Sequence, residues 1–250
     1  MSQHEQILQS SDKDQFLPGP ILLLGAPGVG KGTQAQRLMK ALQIPQISTG
    51  DILRANIAAG TELGDSAKAL MDRGQLVPDH LVNNMIALRL AERDVRDGYI
   101  LDGYPRTIGQ ANWLDSYLGR DKSAQYLVAM KIHVAHEELL RRITGRRTCA
   151  VCLRIYNLYS HVPETDGICD FDGAALLQRS DDTESAFYER MRAYEALTTP
   201  VIEHYEDAGR FREVSGAGAV EDVQGRILDA LRELRGSRWV GLPNTSGETP

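Results

Sequence analysis

Four consecutive apolar residues, Ile21-Leu22-Leu23-Leu24, stop abruptly at Gly25. A run this short, with no polar alternation, predicts a strand covered on both faces. From Lys31 to about Leu42 the pattern turns helical. Tyr99-Ile100-Leu101-Asp102 and Tyr126-Leu127-Val128-Ala129-Met130 predict further buried strands, and Phe211 to Val214 a weaker one. Helical patterns lie between them, at Leu81–Arg93, His136–Ile143 and Glu184–Tyr205. Strands that alternate with helices predict an α/β fold with a parallel sheet and helices on both faces.

Two stretches break the rhythm. Residues 48–77 carry helical pattern without a strand, and residues 146–182 are turn-rich. Both read as inserts on a core that spans 19–235. Residues 1–18 are polar and lack periodicity, and residues 236–250 are rich in Gly, Ser, Thr and Pro. These predict a flexible extension and a flexible tail.

Composition narrows the function classes. The chain of 250 residues is 42% hydrophobic and 25% charged, with a formal net charge of -6. An acidic balance argues against a nucleic-acid coat, which needs a basic face. The N-terminus has no apolar run to serve as a secretory signal, and no stretch approaches the ~20 apolar residues of a membrane span. The expectation is a cytoplasmic protein with neither membrane nor nucleic-acid partner.

The strongest chemical signal is Gly25-Ala26-Pro27-Gly28-Val29-Gly30-Lys31-Gly32-Thr33, between the first strand and the first helix. Glycines let successive N–H groups turn inward around phosphate oxygens, and the helix N-terminus adds positive charge. Lys31 suits the β- and γ-phosphates, and Thr33 the phosphates or Mg²⁺. Most such loops carry Ser or Thr directly after the Lys. Here Gly32 intervenes, and the G-x-G-K-G-T ending resembles the loop of adenylate kinases and related nucleoside monophosphate kinases.

The other motifs of that family follow in order from about Ile21 to Leu234. Ser48-Thr49-Gly50-Asp51-Ile52-Leu53-Arg54 resembles the start of its mobile acceptor-binding segment, and Gly74-Gln75-Leu76-Val77 its end. The resemblance implies that Thr49 bonds the adenine side, Arg54 the AMP phosphate, and the backbone at Gln75, Leu76 and Val77 the base. Asp102-Gly103-Tyr104-Pro105-Arg106-Thr107 resembles the family's strand-end motif, where Arg106 grips AMP phosphate and Asp102 orients Mg²⁺ through water. Gln110 is expected to read the adenine edge; Gly109 stands where the family usually has Pro. Arg142, Arg146, Arg179 and Arg190 match its arginine positions. Arg146 falls mainly on ATP, and Arg179 and Arg190 on the transferred phosphate and AMP. Asp181 and Asp182 match a lid-hinge pair that orients arginines, and Ile155, Tyr156 and Gly218 match donor-side positions. Planar, permanently charged guanidinium groups suit a transfer that needs charge neutralisation more than covalent help.

All three cysteines lie in the second insert, as Cys149-x2-Cys152-x16-Cys169-x2-Asp172. Thiolates at this spacing suit Zn²⁺ in a tetrahedral site with a carboxylate as fourth ligand. Many bacterial adenylate kinases carry such a knuckle in the lid, and this chain is similar to the kind built from three cysteines and one aspartate. It departs from them at Leu153, where Gly is usual after the second Cys, and at Asn157, where His is usual after Tyr.

Together these imply a monomeric, Mg²⁺-dependent enzyme with a zinc-stapled lid that transfers the terminal phosphate of ATP to AMP. Another nucleoside monophosphate (UMP, CMP or GMP) is the alternative acceptor. A non-catalytic ATP sensor is the rival of another class, and the presence of Lys31 with every paired arginine speaks against it.

Overall fold

The computed structural model describes residues 18–119 and 127–235. The extension expected over 1–18 (apart from residue 18), Tyr126 of the expected third strand and the tail 236–250 lie outside the described residues. Among the described residues no helix is long and apolar enough to cross a membrane.

The apolar run forms β1 (Gly19–Leu24), buried at all six positions. It sits at the centre of a five-stranded parallel sheet with β2 (Gln46–Ser48), β3 (Gly98–Asp102), β4 (Val128–His133) and β8 (Phe211–Ser215), in the order β2-β3-β1-β4-β8. Ile21 is in register with Ile100 on one side and Val128 on the other. Alternate β1 residues feed opposite cores. Ile21 and Leu23 pack with Leu38 of α1 (Lys31–Leu42), Ile143 of α6 (His136–Thr144), Phe187 of α7 (Glu184–Ala193) and Ile227 of α9 (Val220–Arg235). Leu22 and Leu24 pack with Ile86 of α4 (Asp79–Leu90), Leu114 of α5 (Ile108–Leu118) and Tyr205 of α8 (Thr199–Asp207). Burial on both faces explains why β1 reads as an unbroken apolar run.

The helical stretch expected over Glu184–Tyr205 is divided. A π-turn at Tyr194–Thr198 joins α7, which packs on one face of the sheet, to α8, which packs on the other. In the first insert, α2 (Thr49–Ala59) and α3 (Glu62–Asp72) connect β2 to α4. The second insert holds a separate antiparallel sheet of β5 (Arg146–Cys149), β6 (Ile155–Asn157) and β7 (Leu176–Leu177), ordered β6-β5-β7. Its own buried core is small: Cys149, Tyr156, Cys169 and Leu176.

On this topology the chain leaves β1 toward one side of the sheet and β4 lies on the other. A parallel sheet opens its crevice at such a reversal, outside the carboxyl ends of the strands. The loops after β1 and β3 both end there.

Candidate active site

One cleft of about 990 Å³ runs along the carboxyl edge of the sheet, between the two inserts. It is lined by the phosphate loop, by Thr49, Arg54 and Gly74–Val77 of the first insert, by the β3 end, and by Arg146, Ile155 and Arg179 of the second. Gly218 closes its far end beside α9.

Local sequence explains the loop. Gly28 (φ 84°) and Gly30 (φ 102°) are left-handed, and a Cβ on Gly28 would come within 2.7 Å of the Leu139 carbonyl of α6. Only glycine lets the loop wind this tightly against that helix. Gly30 caps α1 without a side-chain acceptor, so the first-turn N–H groups face the cleft as an anion site. Lys31 Nζ donates to the Gly25 and Ala26 carbonyls at 2.6 and 3.0 Å. Gly32 has a structural reason. A Cβ there would meet Ile155 Cδ1 of the second insert at 3.3 Å and Asp102 Oδ2 at 3.4 Å. The larger Ser or Thr of most phosphate loops would hold these groups apart.

Lys31, Arg54, Arg106, Arg146, Arg179 and Arg190 converge on this space with the carboxylates of Asp51, Asp102, Asp181 and Asp182. Asp182 accepts a two-pronged bond from Arg146, one prong at 2.9 Å, and Asp181 accepts from Arg190 at 2.9 Å. Asp51 takes Arg54 at 2.5 Å and lies 3.5 Å from Arg179. Arg106 is held through its stem: Nε donates to the Gly103 carbonyl at 2.7 Å, its backbone N–H donates to Gln110, and its carbonyl accepts from Thr198. Among the described residues, no carboxylate takes its terminal nitrogens.

This crowding of cations shows in their acid–base behaviour. Burial, reinforced by Arg106, Arg190 and Arg146, pulls Lys31 from 10.5 down to about 7 against the opposing pull of Asp102. Burial and neighbouring arginines likewise bring Arg179 and Arg190 down to about 10. Burial alone would raise the Asp51 carboxyl, but Arg54 and Arg179 outweigh it and hold it below its ordinary value.

The other expected site residues line the same cleft and are held by these neighbours. Gln110 is buried and its amide is engaged, accepting from Arg106 N–H at 2.8 Å and donating to Asp79 at 2.7 Å. In this conformation it positions Arg106 while still lining the cleft. Tyr156 turns into the insert: its buried ring stacks on His161 and its hydroxyl meets Cys169 Sγ and the Asp170 N–H. Arg142 also lines the cleft and pairs with Glu138 at 2.9 Å. Thr49 bonds the Gly103 carbonyl at 3.0 Å at the acceptor end of the cleft, near Gln75, Leu76 and Val77. Tyr104 is buried, with its hydroxyl on Asn83, next to the cis peptide to Pro105. The loop's Val29 is also buried, as part of the core. Asn157 takes the place of the usual His by bonding the Arg142 carbonyl at 2.8 Å and capping the Tyr159 N–H at 3.0 Å.

The cysteine cluster has the donor set and spacing of a metal site. One ligand atom each from Cys149, Cys152, Cys169 and Asp172 lie within 4.8 Å of one another. Cys149 Sγ lies 3.4 Å from both Asp172 oxygens, and Cys152 Sγ lies 3.6 Å from Cys169 Sγ. Two backbone N–H groups, of Val151 and Cys152, point at the Cys149 sulfur, as suits a thiolate. Leu153 adopts φ 59°, a left-handed conformation in which glycine is at ease and a leucine is strained.

Comparison with known proteins now bears on this geometry. Residues 23–210 match the family model described as adenylate kinase. The chain is 45% identical over 213 residues to an adenylate kinase of Thermodesulfovibrio yellowstonii, covering 85% of this chain and 99% of that one. It is 48% identical over 213 residues to one from Geobacter sp. strain M21, with the same coverage of both chains. An adenylate kinase of Nitrosococcus oceani is 46% identical over 216 residues, 84% of this chain and 99% of that protein. The chain belongs to the adenylate kinase family. Adenylate kinases join a phosphate donor and a phosphate acceptor in one cleft, and the convergence of the loop and arginines suits that task.

The depressed Lys31 generates a pH prediction. A phosphate beside Nζ restores its proton, so at pH 8 binding of MgATP takes up most of one proton from solution. Calorimetry in buffers of different ionisation enthalpy reads this uptake. It fades below pH 7, where free Lys31 is already charged, and it is missing from Lys31→Met.

Proposed function

We propose that the chain catalyses reversible transfer of the terminal phosphate of ATP to AMP, giving two ADP, through the cleft described above. It is an enzyme, an ATP:AMP phosphotransferase. The observation that carries the assignment of roles is the gathering of buried, incompletely paired cations between the phosphate loop and the part of the cleft lined by Thr49, Gln75, Leu76 and Val77.

On this reading ATP lies with its phosphates in the Gly28–Thr33 loop, its donor side bounded by Arg142, Ile155, the Tyr156 strand and Gly218. AMP lies with its base near Thr49, Gln75, Leu76 and Val77 and its phosphate toward Arg54 and Arg106, flanked by Gly103, Tyr104 and Pro105. An AMP phosphate oxygen attacks the γ-phosphorus in line, and the bond from that phosphorus to the β,γ-bridging oxygen breaks, leaving ADP on each side. Lys31, Arg106, Arg146, Arg179 and Arg190 neutralise the charge spread over the transferring group, and no covalent carrier is needed. Mg²⁺ bound with ATP supplies further neutralisation, and Asp102 and Thr33 are the residues suited to it. The two inserts, 48–77 and 146–182, act as the closing parts on a core of 19–235, with the chain as a monomer. Closure excludes water that would otherwise take the phosphate.

Cys149, Cys152, Cys169 and Asp172 hold a structural Zn²⁺ on this reading. The support is a four-donor cluster in an insert with few buried residues of its own, which a metal would hold together. Elemental analysis of protein purified without added metal is expected to give one zinc per chain. A ratio near zero contradicts the assignment.

The acceptor is tested by ADP formation from MgATP with AMP, UMP, CMP or GMP offered separately. AMP alone is expected to support strong turnover. Preference for another base keeps the mechanism and overturns the acceptor, and silence with all four overturns the enzyme reading.

A further inference from the structure

Gln36 is one turn along α1 from the phosphate loop, and no motif above includes it. Its Nε2 donates to the carbonyl of Leu153 at 2.9 Å, joining the loop helix to a residue 117 positions away in the second insert. Leu153 takes part through its backbone while its side chain stays half exposed. Its left-handed conformation, in the turn between Cys152 and β6, is the one in which the carbonyl meets α1. Two residues on, Ile155 brings Cδ1 to within 3.3 Å of where a Cβ on Gly32 would sit. The turn and the first residue of β6 therefore touch the phosphate-loop helix at two places, apolar at Gly32 and polar at Gln36.

We propose that Gln36 is a positioning residue for the donor half of the reaction, latching the second insert over the phosphate loop. The proposal rests on the reading above, in which ATP lies in that loop beneath the insert. The bond exists only while the insert is down, so its free energy enters the equilibrium between open and closed forms directly. Whatever favours the closed form raises apparent affinity most for the nucleotide enclosed there, and AMP, which meets this insert through Arg179, feels less of it. The bond also accounts for a strained leucine persisting at position 153, since that backbone conformation aims the acceptor. One solvent-exposed neutral hydrogen bond corresponds to an effect of about 2- to 10-fold.

The test compares Gln36→Ala and Gln36→Glu with the unaltered chain, reading the MgATP dissociation constant by calorimetry and the KM for each substrate. In Gln36→Ala the MgATP dissociation constant and KM are expected to rise about 2- to 10-fold, with the KM for AMP within about 2-fold of the unaltered chain. In Gln36→Glu the loss is present at pH 8, where a carboxylate faces the carbonyl. An ordinary glutamate is ionised at that pH and offers no donor proton, so the loss is expected to be at least as large as in Gln36→Ala. An unchanged MgATP affinity in Gln36→Ala overturns the latch. So does a parallel loss for both substrates with a lowered Tm, which marks general support of α1. So does a Gln36→Glu chain that keeps the MgATP affinity of the unaltered chain at pH 8. A chain silent on AMP would overturn the reading of the reaction, and the latch would still be judged by MgATP binding alone.

Discussion

The structure depends on drawing Lys31, Arg54, Arg106, Arg146, Arg179 and Arg190 together in one cleft around fewer aspartates than would pair them. Lys31 is drawn down to about 7, and Arg179 and Arg190 to about 10, because burial removes water while like charges stand close by. Asp181 and Asp182 relieve part of this and fix the directions of Arg190 and Arg146. Arg106, lowered by its burial, has no carboxylate on its terminal nitrogens; Asp102 and Asp181 act on it only through their charge, and neutral carbonyls and amides hold it. A site built this way stores unfavourable electrostatics that a polyanion relieves, so that folding energy is converted into affinity for phosphate. A net charge of -6 over the whole chain coexists with this local excess of positive charge, which focuses anions into the cleft.

The remaining architecture serves that placement. A five-stranded parallel sheet buried on both faces fixes the ends of β1 and β3, which carry the loop and Asp102. Capping does the fine positioning: Ser48 accepts from Asp51 N–H at the start of α2, and Thr107 from Gln110 N–H at the start of α5. Thr107 and Gln110 then share the Asp79 carboxylate, and Gly109 leaves room for it, since a Cβ there would approach Asp79 Oδ2 to 3.0 Å. The small Gly at this position thus accommodates an acid that ties α5 to α4. The second insert brings two arginines to the site on a sheet with few buried residues.

The amino-acid sequence made the central sheet and the phosphate loop readable because burial on both faces leaves an unbroken apolar run, and because a glycine-rich turn between strand and helix has few other uses. β2, three residues of mixed polarity, left no such trace, and neither did the strands of the second insert, whose Arg146–Cys149 edge is polar. α5 opens Ile108-Gly109-Gln110 with weak amphipathic pattern, and α9, strongly patterned, lay beyond the last expected strand. The arginines were selected by family register alone, since any one of them reads as a surface residue in isolation. Which nitrogen meets which carboxylate is a tertiary fact, as is the engagement of Gln110 and Tyr156 by neighbours that share no local motif with them. Leu153 shows the reverse case: its departure from the family's usual Gly was legible, and the left-handed backbone supplies the physical meaning.

The account turns on Arg106 being costly to bury and useful only when phosphate is present, and equilibrium urea denaturation of Arg106→Met with and without ADP tests that directly. Gly103, which loses the guanidinium, keeps the Thr49 hydroxyl as donor, so the substitution strands no carbonyl. Without nucleotide, Arg106→Met is predicted to be more stable than the unaltered chain, by about 1 kcal/mol or more. Saturating ADP then stabilises it far less than it stabilises the unaltered chain. A nucleotide-free variant that is less stable than the unaltered chain would mean that Arg106 supports the fold, contradicting the stored-charge account.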